Sequence, residues 1–166
     1  KKTFKYILNA CSFGVALSIK QLKKISFTII NKGINNKDFV TCTDLLFNKG
    51  DLGNQLFKYA VIRKYSRKYG VPVLLPEPSV HRLSELNIKC EYYDKHILEL
   101  YSNNKYKERQ FHYDASALSY AKKKNFYGYF QTEKYFKDIR HLLQDELRLA
   151  DREKEKKAIE NIKLIK

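Results

Sequence analysis

Two short runs of residues combine types able to do chemistry. The first is Gly50-Asp51-Leu52-Gly53-Asn54-Gln55-Leu56-Phe57-Lys58-Tyr59-Ala60. Glycines at a strand-to-helix turn let the backbone approach a ligand closely, and free amides at a helix N-terminus favour negative charge. Asn54 and Gln55 would then project their amides into the crevice where α/β sheets hold ligands. The same residues also fit a plain tight turn with Asn54 as helix N-cap. The run is neither G-x-G-x-x-G nor a phosphate-binding loop, because no Gly-Lys-Ser/Thr follows. The second run, Gly128-Tyr129-Phe130-Gln131-Thr132-Glu133-Lys134-Tyr135-Phe136, sets Gln131 and Glu133 at an aromatic-rich junction. On its own such a junction most often packs a core.

Other candidates carry less. His81, His96, His112 and His141 lack metal-ligand spacing, and Cys11, Cys42 and Cys90 form no C-x-x-C pair. Neither a metal nor another cofactor is expected. A Cys42–Cys90 disulfide and free buried thiols are both compatible with the spacing. Asp145/Glu146 and Glu153/Glu155 lie among lysines and arginines and read as surface ion pairs. Tyr92, Tyr93, Tyr101, Tyr106, Phe111 and Tyr113, interleaved with lysines, suit either packing or stacking on bases or sugar rings.

The elements that must position these residues follow from periodicity. Phe39 to Phe47 reads as a buried strand, and the spacing of Leu52, Leu56, Phe57, Ala60 and Val61 predicts a helix from about Asn54 to Tyr69. Arg67 and Lys68 suit its last turn, and Gly70 ends it. Val71 to Leu75 is a second strand, closed by Pro76 and Pro78. Strand, turn, helix and strand make a βαβ unit, hence a parallel sheet with a right-handed crossover. Farther on, His96 to Tyr101 fits strand or helix, and Phe126 to Phe130 a strand. Thr132 to Leu149 reads as mostly helix with Thr132 as N-cap. The charged tail 150–166 aligns Ala158, Ile159, Ile162 and Ile165 on one face.

Lys and Arg total 33 against 18 Asp and Glu, a net charge of +15. That balance attracts anionic partners, but it is spread along the chain with no Arg-rich tract, and no nucleic-acid partner is expected. Hydrophobic residues make up 43% of the chain, which excludes general disorder. Tyr6 to Ile19 is uncharged between lysine-rich flanks. As a helix it would run roughly 21 Å against about 30 Å of hydrocarbon, so it reads as an amphipathic or signal-like segment or as a trimmed membrane anchor. Residues 1–38 are therefore expected to be anchor or stem and linker, residues 39–150 a Rossmann-like domain, and residues 151–166 a charged helix. The chain has no methionine and is expected to be a slice of a longer protein.

Both runs resemble signatures of the galactoside α-1,2-fucosyltransferases (glycosyltransferase family 11). Gly50, Leu52, Gly53, Asn54, Gln55, Phe57, Tyr59 and Ala60 match the first signature, while Asp51 and Lys58 depart from it. The second run matches throughout, and the resemblance spans about Phe39 to Leu149. It implies the N-terminal, acceptor-side half of a GT-B-type enzyme. The implied reaction is inverting transfer of fucose from GDP-fucose to the 2-hydroxyl of a galactose-terminated glycan, without a metal. It implies a Golgi type II membrane location, with Tyr6–Ile19 as the end of the anchor. Gly50, Gly53, Asn54 and Gln55 would form a cleft-facing loop, and Gln131 and Glu133 would reach sugar hydroxyls. The family's arginine-pair donor element has no counterpart here, so this chain alone is expected not to turn over. A non-catalytic basic module binding glycan or nucleic acid, and a degenerate paralogue of the enzyme, are the competing readings.

Overall fold

The computed structural model describes residues 34, 36–45, 51–109 and 111–164. The chain divides into two units, Lys1–Lys37 and Asp38–Lys166, and the sheet belongs to the second. Gly50 and the Tyr6–Ile19 segment lie outside the described residues. Among the described residues, no helix is long and apolar enough to cross a membrane.

Five parallel strands form one sheet in the order β3-β2-β1-β5-β4, an α/β fold of Rossmann-like form with flanking helices. They are β1 Val40–Thr41, β2 Val73–Pro76, β3 Glu91–Tyr93, β4 Asn104–Lys107 and β5 Lys124–Tyr127. The helices are α1 Leu52–Tyr69, α2 Lys95–Tyr101, α3 Arg140–Glu146 and α4 Arg152–Leu164. β1 is central, pairing Val40 with Val73 on one side and with Lys124 on the other. Of the two strands beside it, β2 is buried and apolar as parallel sheets favour, whereas β5 is largely buried but begins with the polar Lys124 and Asn125.

The βαβ unit forms as its sequence predicts. α1 ends where Gly70 adopts φ 67° and its N–H bonds the Ser66 carbonyl, a left-handed cap that glycine adopts without strain. Its start differs from the expectation. Asp51, not Asn54, is the N-cap, in extended conformation and with no side-chain capping bond. Gly53 lies inside the first turn and is not among the positive-φ glycines.

β1 is shorter than the predicted Phe39–Phe47. At Thr43 the amide turns to the Asn125 side chain (3.2 Å), so side-chain bonds replace the ladder. β5 stops at Tyr127 because Gly128 (φ 143°) and Phe130 (φ 54°) turn the chain sharply. The helix predicted for Thr132–Leu149 is broken. Thr132 does cap, accepting from Lys134 N–H, but only single 3₁₀ turns follow until α3 begins at Arg140. Phe136 at φ −141° makes the break, while Tyr135 is buried against Phe130 (5.6 Å between ring centroids). His96–Tyr101 is helical, started by Asp94 accepting from the His96 and Ile97 amides. Cys42 and Cys90 are not joined by a disulfide; the first is buried and the second half-buried.

Candidate functional site

The strand order turns back between β1 and β5, and α/β sheets hold ligands outside the C-terminal strand ends at such a place. Both sequence runs meet there. Gln131 Nε2 donates to Asn54 Oδ1 at 2.6 Å, across 77 residues of sequence. Asn54 is half-buried in the first turn of α1, and Gln131 is exposed beyond β5. Gly53 and Glu133, close along the chain to Asn54 and Gln131, line a groove of about 550 Å³. Phe57 and Phe136, one ring from each run, face each other at 6.0 Å in its wall. Gly53, Asn54, Gln131 and Glu133 are thus gathered at one lip.

Gln55 is placed elsewhere. It is buried, and its Oε1 accepts the Arg82 N–H at 2.9 Å, tying the loop after β2 to α1. The Gln55 carbonyl oxygen therefore serves packing, while Asn54, one position earlier, faces the lip. Tyr59, another residue of the first run, is also internal. Its hydroxyl donates to Glu146 Oε2 at 2.6 Å and accepts the Lys89 N–H at 3.0 Å. Burial, and then the bond to Glu146, push the Tyr59 hydroxyl well above the ordinary tyrosine range. Arg63 closes on the same carboxylate through Nε and Nη2, at 2.7 to 3.0 Å. Glu146 is therefore not the surface residue its lysine-rich surroundings suggested; it is buried between α1 and α3.

The lip is shaped from behind by residues whose roles the sequence did not signal. Glu108 follows β4 and accepts the Tyr129 N–H (2.7 Å) and the Phe130 N–H (3.1 Å). It thereby holds the left-handed Phe130 that aims Gln131 at Asn54. A Cβ at Gly128 would run into the Glu108 side chain and would need a φ of +143°. Close approach and conformation both demand glycine there. Lys58 departs from the family signature, and its environment accounts for its position. Only 2% exposed, its ammonium bonds the Asp44 carbonyl (3.0 Å) and carboxylate (3.3 Å) at the end of β1. Beside it, Asn125 donates to Thr43 Oγ1 (3.0 Å) and Ser102 Oγ (2.9 Å), and the Thr43 and Tyr127 hydroxyls are hydrogen-bonded to each other at 2.8 Å. Asp51 is exposed at the start of α1.

The remaining sequence candidates are structural or peripheral. His81 is buried, bonded to Pro76 O (3.1 Å) and accepting from the Leu83 N–H (3.2 Å), and burial lowers its pKa. Glu155 pairs at the surface with Arg148 and Arg152 (2.8 Å each). Among the described residues, no group of three His, Cys, Asp or Glu is placed to hold a metal. No family model matches the chain, and no curated protein or solved structure matches it either.

Proposed function

We propose that this chain is the acceptor-side half of a GT-B-type, inverting galactoside α-1,2-fucosyltransferase. The observation that carries the reading is the Gln131–Asn54 hydrogen bond. It joins the two runs that resemble the family, at the sheet edge where such folds place ligands. Rossmann-like topology supports the reading at the level of fold alone.

In this reading the fucose donor is GDP-fucose and the acceptor a galactose-terminated glycan. The galactose 2-hydroxyl attacks the anomeric carbon of fucose while the bond to GDP breaks, and the hydroxyl proton passes to a base. Asn54 and Gln131 hold a sugar hydroxyl in line, and Glu133 lies within the same lip. Their contribution is placement, with transition-state hydrogen bonds strengthening what placement begins. The amides of the first turn of α1 add a favourable field for the leaving diphosphate. Lys58, held by Asp44, fixes the end of β1 and belongs to the scaffold rather than to the donor site. The protein acts without a metal and is placed in the Golgi membrane with its catalytic part in the lumen.

The test is fucose transfer from GDP-fucose to lactose by the natural gene product containing this chain. Transfer that is lost in Gln131→Ala, with folding intact, is the expected result. Absence of any fucose transfer by the wild-type product would sink the proposal.

A further inference from the structure

A second crevice opens on the other flank of the Glu108 turn, at the C-terminal ends of β1, β4 and β5. It encloses about 440 Å³ and is lined by Asp44, Lys107, Arg109, Phe111, Tyr127 and Tyr129, with Glu108 and Gly128 at its floor. Its chemistry is mixed in a particular way. Phe111 is a large apolar ring that is 78% exposed, backed by Tyr129 at 6.0 Å. Tyr129 is itself steadied by the Lys58 ammonium, 5.5 Å from its ring centroid. An exposed aromatic ring braced over a crevice costs hydration unless a flat, partly apolar partner covers it.

The carboxylates around the crevice are already engaged. The Glu108 oxygens are taken by two backbone N–H groups, and Asp44 is ion-paired with Lys58 at 3.3 Å. Arg109 feels the Asp114 carboxylate from the far side, where Tyr106 and Ser116 hold Asp114 well below the usual carboxylate range. Lys107, the last residue of β4, and Arg109, two residues on, are both exposed and both line the crevice. The crevice therefore offers an apolar platform and two cations, while the Tyr127 hydroxyl is already engaged by Thr43 and Asn125.

We propose that this crevice binds an acidic saccharide, a pyranose bearing a carboxylate or a sulfate, with the ring stacked on Phe111 and the anion on Lys107 and Arg109. A pyranose has one face of C–H groups for the ring and a rim of hydroxyls for polar walls. A nucleic acid is disfavoured, since a single short cationic edge flanked by Asp44 and Glu108 does not track a phosphate backbone. The role of this site as an acceptor subsite rests on the transferase reading; the site itself does not. Both the carboxylate and the sulfate form present the oxyanion that a guanidinium and an ammonium recognise.

The experiment is a titration of the full chain with lactose, galacturonate, galactose 6-sulfate and inorganic sulfate, followed by NMR chemical shifts. The acidic sugars are expected to bind about tenfold or more tightly than lactose or sulfate, as one charged hydrogen bond implies. Phe111→Ala and Lys107→Ala should each weaken the acidic sugars by about tenfold, and neither exposed side chain supports the core. Asn54→Ala should leave this binding unchanged. Equal affinity for lactose and the acidic sugars, sulfate binding as well as the sugars do, or indifference to both crevice variants overturns the site. Fucose transfer assayed on the natural gene product separates the two ideas. Transfer indifferent to Phe111 and Lys107, with no acidic-sugar binding, removes the crevice and leaves the transferase. Acidic-sugar binding without any transfer does the reverse.

Discussion

One helix carries two polar constellations of opposite character. At its start, Asn54 meets Gln131 in a hydrogen bond whose partner is exposed. Farther along, Tyr59 and Arg63 meet Glu146 in a buried cluster in which both carboxylate oxygens have donors. Both tie α1 to the chain that follows β5. The buried cluster is a fastener: desolvation makes each of its members costly to remove. The lip contributes little to folding, because water competes for its hydrogen bond, and its side chains are left open to a ligand. Similar residue types on one helix thus divide into scaffold and site according to burial.

The largest effect should come from breaking the fastener. Glu146→Ala leaves Arg63 and Tyr59 without their partner and should destabilise the fold by about 3–5 kcal/mol, read by chemical denaturation. A loss under 1 kcal/mol would mean the cluster is open to water. Gly128→Ala comes next. It forces a side chain into Glu108 at a φ of +143° and should cost roughly 1–3 kcal/mol while displacing Gln131. The closest atom to the new methyl is the Glu108 Cβ, so if Glu108→Gly restored stability in the double variant, the clash rather than the backbone angle would be responsible.

Lys124 extends the comparison to a cation without a carboxylate. It is buried at the start of β5, donating to the Ala117 (2.6 Å) and Ser119 (2.7 Å) carbonyls. Burial, and then the Lys68 charge, hold it down at about 8. Its folded-state pKa lies below the ordinary 10.5, so between those values the unfolded chain binds more protons. Stability should therefore rise with pH above about 8. The measurement belongs below pH about 10, where unfolded tyrosines begin to ionise and reverse the trend. Lys124→Met should flatten the rise; a rise unchanged in that variant would assign it to another group.

Gly53→Ala separates the two regions most finely. Gly53 is in the first turn of α1, and nothing lies within 4 Å of where its Cβ would be. The alanine should stabilise the helix by about 0.4–1 kcal/mol yet weaken a ligand that must approach the backbone. A stabilised protein with unaltered transfer would remove Gly53 from the site.

Much of this was legible in the sequence, where period and composition are strong. The α1 pattern with Gly70 behind it, between the apolar runs at Phe39–Phe47 and Val71–Leu75, announced a parallel βαβ core. The strand expected at Phe126–Phe130 begins two residues earlier, at the polar Lys124 and Asn125, and ends at Tyr127. Edge strands β3 and β4 escaped notice because Glu91-Tyr92-Tyr93 and Asn104-Lys105-Tyr106-Lys107 have no apolar signature; only their neighbours' ladders define them. Asn54, Gln131 and Glu133 were identifiable as candidates by type and context, but not their proximity, which depends on the turn that Glu108 holds. Gln55 and Glu146 misled because burial, not residue type, determines whether an amide or a carboxylate faces solvent.

The most direct test of the central claim is kcat/KM for fucose transfer to a galactoside by Gln131→Ala, beside its melting temperature. The expected result is a loss on the order of 10²-fold in kcat/KM, as for removal of one transition-state hydrogen bond, with the melting temperature close to wild type. Unchanged transfer, or a loss matched by an equal loss of folding, would contradict it.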